Sequence, residues 1–143
     1  MTVTSVQKLH DVVRKRFADE FSDEYFIAYD NAPFDDQPDD EMWLRWSVTS
    51  GETFTAEMGG ASSRYRHTGV AVAQIFAVLG KGTRDALILA DRIKNKFLNT
   101  TDTTSVVSNS VVFRTPSVIH VGRADSQWWQ INVNCPYYAD EIT

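Results

Sequence analysis

One apolar stretch decides the fold: Val70-Ala71-Val72-Ala73-Gln74-Ile75-Phe76-Ala77-Val78-Leu79. It contains a single polar residue, and its β-branched and aromatic side chains favour a strand covered on both faces over a buried helix. Gly80-Lys81-Gly82 ends the run, and Thr83 then stands where the N-cap of a helix belongs. The sequence therefore predicts a central strand that leads through a tight turn into a helix.

Two amphipathic helices are predicted. The helix after Thr83 has apolar residues three and four positions apart, which form one stripe: Ala86, Leu89, Ala90, Ile93 and Phe97. The other covers residues 4–20, with Ser5 as its cap and this apolar stripe: Val6, Leu9, Val12, Val13, Phe17 and Phe21.

The first half of the chain also contains strand patterns. Residues 25–29 form a short strand that ends at the turn Asp30-Asn31-Ala32-Pro33. Residues 42–49 alternate with period two, so Met42, Leu44, Trp46 and Val48 face the core, while Trp43, Arg45, Ser47 and Thr49 face outward. We expect a turn at residues 50–52, a partner strand at 53–58, and a mobile glycine-rich loop at 59–69.

After the second helix, a polar linker covers residues 99–105, and three strands follow at 110–114, 117–121 and 127–135. In the last strand one face carries Trp129, Ile131, Val133 and Cys135, and the other carries Trp128, Gln130, Asn132 and Asn134. This order of elements is typical of an α+β fold, a single domain over residues 1–143. Its largely antiparallel or mixed sheet has the two main helices packed on one face.

Composition excludes several classes of protein. A net charge of −5 argues against binding nucleic acid by phosphate neutralisation, while a local basic patch stays open because net charge does not locate the charges. The only cysteine, Cys135, cannot form an internal disulfide. The N-terminus lacks the apolar core of a signal peptide, and no apolar run is long enough to span a membrane.

The motifs of common chemistry are incomplete. Gly80-Lys81-Gly82-Thr83 lacks the spacing of a phosphate-binding loop, and the acidic residues 35–41 lack the alternating ligands of an EF-hand. The three histidines have no zinc-site spacing. A Cys135–His120 nucleophile pair stays open, although Cys135 lies on the apolar face of its strand. We therefore expect no enzyme activity, no catalytic residue, no cofactor and no metal.

Aromatic residues are the unexplained feature. Trp43 and Trp128 fall on the polar faces of their strands, so they are either interface anchors or core residues covered by the helices. Arginine and tyrosine in the glycine-rich segment add groups that bind other proteins. The candidate interface residues are Trp43, Arg45, Arg64, Tyr65, Arg66 and Trp128.

Several short signatures, spread over nearly the whole chain, resemble the small tail terminator proteins of long-tailed bacteriophages. The first matching feature is the N-terminal helix. The first half of the chain then has Ala28-Tyr29-Asp30-Asn31-Ala32-Pro33-Phe34, Trp43-Leu44-Arg45 at the opening of a strand, and Arg66-His67-Thr68-Gly69 leading into Val70-Ala71-Val72. The second half has Gly80-Lys81-Gly82-Thr83 opening a helix that ends with Ile93-Lys94-Asn95-Lys96-Phe97, then the closing strand Ile131-Asn132-Val133-Asn134-Cys135-Pro136-Tyr137 and the acidic Asp140-Glu141.

The resemblance implies a structural virion protein without catalytic residues. Such proteins form a hexameric ring at the head-proximal end of the tail tube, stop its polymerisation and present a surface to the head–tail connector. The implied partners are other copies of the chain, the major tail tube protein and connector proteins, with DNA passing through the lumen and no membrane involved. The alternatives are a head–tail connector or minor tail protein and, from another class, a small-ligand-binding domain or enzyme with a pocket under residues 59–69.

Overall fold

The computed structural model describes residues 6–35, 37–59, 62–102 and 111–142. Two helices and seven strands follow one another in this order: α1 (Val6–Phe21), β1 (Phe26–Tyr29), β2 (Trp43–Gly59), β3 (Ser62–Val78), α2 (Arg84–Phe97), β4 (Thr101–Asp102), β5 (Val111–Phe113), β6 (Ser117–Arg123) and β7 (Trp128–Ile142). The predicted start of the first helix at Thr4 and its predicted cap, Ser5, lie outside the described residues.

The strands form one curled sheet in the order β1-β2-β3-β7-β5-β4, and β6 pairs with β7. Only β1 and β2 are parallel, and the other pairs are antiparallel. The predicted α+β class is therefore confirmed. The apolar run at residues 70–79 supplies half of β3, which lies between β2 and β7, so the predicted central strand is also confirmed.

Both helices pack on the same face of the sheet, as predicted. Leu44, Trp46, Ile75 and Ile131 project from the strands into one core with the apolar stripes of α1 and α2. Val6 is an exception within its stripe, because 53% of its surface is exposed. The α2 N-cap is Thr83, as expected, although its side chain makes no capping hydrogen bond.

The β2–β3 hairpin is much longer than the sequence indicated. The predicted turn at 50–52 is wrong, because β2 runs through it, and the predicted loop is wrong for residues 62–69, which belong to β3. A register shift between Ser50 and Thr53 marks a bulge where the turn was expected. A Cβ on Gly51 would lie 2.7 Å from Thr68 Oγ1, so this glycine permits close packing at the bulge rather than a turn.

Gly69 also has a role inside a strand. A Cβ there would lie 2.4 Å from the ring of Tyr137, the residue that faces Gly69 across the β3–β7 ladder. The glycine leaves room for an aromatic ring to lie across the strand. Of the glycines that suggested a mobile loop, Gly69 therefore marks a close approach within the sheet, and Gly60 and Ala61 lie outside the described residues.

The last strand continues beyond the predicted end at Cys135 and runs to Ile142. Pro136 lies within it and has no backbone N–H to donate. Arg114 N donates to Pro136 O at 3.0 Å, so the polar groups of Pro136 face the edge where β5 has ended and β6 has not begun. Since no described strand pairs with that edge of β7 at Pro136, the missing N–H of the proline leaves no ladder hydrogen bond unmade, and the strand tolerates the proline.

Candidate functional site

The two tryptophans predicted at an interface are buried within the subunit. Trp43 is 4% exposed and Trp128 is 2% exposed, so the expected outward exposure of Trp43 is wrong. Both belong to a second apolar cluster, separate from the helix-covered core, that also contains Ala28 and Phe76.

This second cluster lies on the sheet face opposite the helices. The alternative explanation, in which the helices cover Trp43 and Trp128, is therefore wrong. The ring of Trp43 stacks on Phe76 at 4.3 Å and on Phe34 at 5.3 Å, and it meets Trp128 edge-on at 6.0 Å. Phe34 comes from the segment that joins the parallel strands β1 and β2. An irregular crossover segment and mutual aromatic packing thus replace a helix as the cover.

Arg45 is the candidate that the structure leaves exposed beside this cluster. Its guanidinium lies 5.8 Å from the ring centroids of both Trp43 and Phe76. This placement is a cation–π contact at the border of the cluster. Arg45 therefore remains available to a partner while packing on the subunit's own aromatic residues.

Arg64, Tyr65 and Arg66 lie in β3, not in a loop. Arg66 donates two hydrogen bonds to the Asp140 carboxylate, at 2.9 and 3.1 Å, and lies 4.2 Å from the centroid of the Tyr138 ring. These contacts join β3 to β7.

Arg64 lies 4.0 Å from the same Asp140 carboxylate. Tyr65 is partly exposed and faces Thr55 on one side and Glu141 on the other. Arg45 faces Gln74, eight positions along β3 from Arg66, so the structure does not bring the six predicted interface residues together.

The described residues show no nucleophile pair and no metal cluster. Burial raises the pKa of the Cys135 thiol to about 12, which disfavours the thiolate. His120 is exposed and faces Ile131, four positions along β7 from Cys135, roughly 13 Å away at the usual rise per residue. No group of three or more metal-binding side chains is found in the described part of the chain.

Two cavities lie at the end of the sheet next to α2. One has a volume of about 340 Å³ and an acidic lining that includes Glu24, Asp40, Glu41 and Asp85. The other, about 410 Å³, lies between Gly80 and Trp129, with Arg123 at its edge. Neither is lined by residues 59–69, where the ligand-binding alternative placed its pocket.

Exposed apolar side chains on the sheet edges are the surface feature that the sequence reasoning missed. Phe26 on β1 is 43% exposed, Phe54 on β2 is 47%, and Ile119 and Val121 on β6 are 44% and 50%. In β6 the available signal in the sequence was a strand without Asp, Glu or Lys, whose only arginine is the terminal Arg123.

Within the described residues, neither helix is long and apolar enough to cross a membrane.

Comparison with known proteins identifies the family. The sequence model of the phage tail terminator protein family matches residues 8–137. No curated protein matches the sequence. One similar solved structure, whose name states no function, has a TM-score of 0.62 and 22% identity, covering 91% of this chain and 94% of the other. That likeness supports the fold alone. The family match covers nearly the whole chain, and the chain therefore belongs to the phage tail terminator protein family, a family of structural tail proteins.

Proposed function

We propose that this protein caps the head-proximal end of the phage tail tube as a ring of six copies, the number that the family resemblance implies. The ring ends tube polymerisation and offers the surface to which the head joins. The observation that carries the proposal is the match to the tail terminator family over residues 8–137. Its partners are other copies of the chain, the major tail tube protein and the head–tail connector proteins.

A cap must bind the tube with one face and refuse a further tube subunit with the other. A head-to-tail ring has two different faces, because all its subunits point the same way along the axis, whereas a two-fold dimer presents two equal ones. A ring also needs two different contact surfaces on each subunit. The exposed apolar side chains of Phe26 on β1 and Ile119 on β6 lie on opposite edges of the sheet and meet this requirement.

DNA has to pass through such a ring without being held. The net charge of −5 supports this, since a protein with few uncompensated cations releases few counterions from DNA and binds it weakly.

The proposed role needs no chemistry. The only cysteine is buried, with its pKa raised to about 12, and the described residues contain no group of three or more metal-binding side chains. We therefore propose that the protein is not an enzyme and acts through binding surfaces alone.

The deciding experiment removes the gene from an assembling phage and measures tail length by electron microscopy, with the wild-type gene supplied in trans as the control. Headless tails of unregulated length, restored to normal by the supplied gene, are expected. Tails of normal length that lack heads would instead indicate a connector or a minor tail protein. Intact particles with normal tails would overturn the proposal.

A further inference from the structure

In the part of the sheet that the helices cover, the two outer edges are β1 and β6. These edges lie at the same height along the strand direction. The backbone pairing crosses the sheet in rows, and one row consists of Phe26, Trp43, Phe76, Gln130 and Gly122. The register of β6 shifts by one residue between His120 and Gly122, so Val121 is the extra residue of a bulge next to the end of this row. Paired residues lie side by side in a ladder, so Phe26 and Gly122 mark the two ends of one row. The two edges are thus matched in height within a single subunit.

The outer edge of β6 carries free backbone groups. Arg114 N donates to Pro136 O, so the polar groups of the even-numbered β7 residues face the β5 and β6 side. Ile119 faces Asn132, one of these residues, and uses its own N–H and C=O to pair with β7. The next residue, His120, therefore points its N–H and C=O away from the sheet. No described strand pairs with that side of β6.

Both edges expose apolar side chains instead of the charges that often protect an edge strand, and the only protective feature of β6 among the described residues is the bulge at Val121. Ile119 is 44% exposed, Val121 is 50% exposed and, on the opposite edge, Phe26 is 43% exposed. An unpaired edge with exposed β-branched and aromatic side chains is a template for adding a strand from another chain.

The charges near the two edges differ in sign. Within three residues of its ends β6 carries Arg114, Arg123 and Asp125, a net charge of +1. Asp23, Glu24 and Asp30 flank β1, and because Arg92 of the same subunit pairs with Glu24 at 2.8 Å, two uncompensated negative charges remain there. Opposite charges favour contact between the two different edges, and like charges disfavour contact between two β1 edges. A second copy of the chain therefore supplies the complementary edge.

We propose that β6 of one subunit pairs with β1 of the next, so that the sheets join into a continuous belt around the ring. β1 runs parallel to β2, and three antiparallel steps lead from β2 to β6, so β6 is antiparallel to β1. Rotation about an axis along the strands preserves these directions, and the new pair is antiparallel. This inference rests on the ring proposed above and specifies the contact that closes it.

The end of the Phe26 row supports this pairing. Gly122 lies there with a φ of +97°, and a Cβ built on it would meet nothing nearer than 4.0 Å. The space beside a glycine admits an aromatic ring from the neighbouring strand, as Gly69 admits Tyr137 within the subunit. Phe26 of the next subunit occupies the equivalent position in the belt.

Disulfide trapping tests the contact directly. The double variant Phe26→Cys/Val121→Cys places one thiol on each edge, and the buried Cys135 gives little background. The control is Phe26→Cys/Ile88→Cys, because Ile88 on α2 is 48% exposed, like Val121, but lies away from both edges. Each protein is oxidised free in solution and bound to tail tubes, and the products are separated on a denaturing gel.

We expect the edge pair to form a ladder of covalent multimers and the control pair to form dimers at most. If the wild-type protein assembles on tubes and the edge pair gives no more multimers than the control, the β6–β1 contact is overturned while the capping function stands. If the wild-type chain stays monomeric both free and with tubes, the proposed ring fails and the contact fails with it.

A backbone variant separates strand pairing from side-chain contact. His120→Pro removes the N–H that points away from the sheet and none that pairs with β7. We expect its thermal unfolding to stay close to that of the wild type, while assembly weakens at least tenfold in concentration. His120→Ala, which keeps the N–H, is the matched control and should assemble normally. Equal assembly of the two variants would contradict the proposed backbone pairing.

Discussion

Trp43 and Trp46 lie three residues apart on β2, and both are buried. They lie on opposite faces of the sheet and contact different residues. Trp46 stacks on Phe17 of α1 at 4.0 Å and on Phe97 of α2 at 5.6 Å. Trp43 is covered by Phe34 from an irregular segment. The comparison shows that periodic patterns reveal the helix-covered core, whereas a core covered by a non-periodic segment looks like an exposed face.

The largest effect is expected in the helix-covered core. Ile93 is fully buried on α2, so Ile93→Asp places an unpaired charge among apolar side chains and should lower the free energy of unfolding by several kcal/mol, on the order of 3–5. Ile88→Asp on the exposed side of the same helix is the control, and we expect little change. Thermal melting by circular dichroism checks both. Equal melting temperatures would contradict the assigned phase of α2.

The two tryptophans test the comparison itself. Trp46→Ala should destabilise the protein by about 3–5 kcal/mol, because it leaves a cavity between both helices and the sheet. Trp43→Ala should cost less, about 2–3 kcal/mol, because its cluster has only four buried members and lies near the surface. Urea unfolding measures both. If Trp43→Ala were the more damaging change, the second cluster would be the principal core.

Alkaline pH should weaken the helix-covered core. Burial raises the pKa of Cys135 from 9.0 to about 12 and that of Tyr137 from 10.0 to about 12. Between these values the unfolded chain releases protons that the folded chain keeps, so stability falls as pH rises through this window, by about 1.4 kcal/mol per pH unit for each group. Below pH 9 neither group contributes a pH dependence. Urea unfolding from pH 8 to 11 checks this, with Cys135→Ala expected to show a shallower decline.

The smallest effect concerns the outer part of the hairpin, beyond the helices. Arg66 pairs with Asp140, but 25% of the Arg66 side chain is exposed, so water screens the pair. Arg66→Gln should cost about 0.5–1 kcal/mol. The control is Arg45→Gln, which removes an exposed charge but no ion pair with Asp140, and it should cost less. A loss of several kcal/mol from Arg66→Gln would show that the outer hairpin is as important to folding as the helix-covered core.

Local patterns determined much of the fold. The apolar stripe of α2, the run at 70–79 and the alternation of Leu44 and Trp46 gave the elements and the face on which the helices pack. Each of these signals depends on neighbours within a few residues of one another. The family resemblance, carried by short signatures along the chain, is likewise a property of the sequence.

Only the tertiary structure decided where the non-periodic features lie. Gly51 and Gly69 looked like turn and loop residues, but each gives room to a side chain from a distant strand, Thr68 or Tyr137. Trp43 looked exposed because its cover, Phe34, belongs to a segment without periodicity, and Trp128 packs against Trp43 in the same cluster. The match in height between β1 and β6 depends on the register of four strand pairs. The physical reason is the same in each case: such contacts join residues far apart in the chain, and a pattern of neighbouring residues does not encode them.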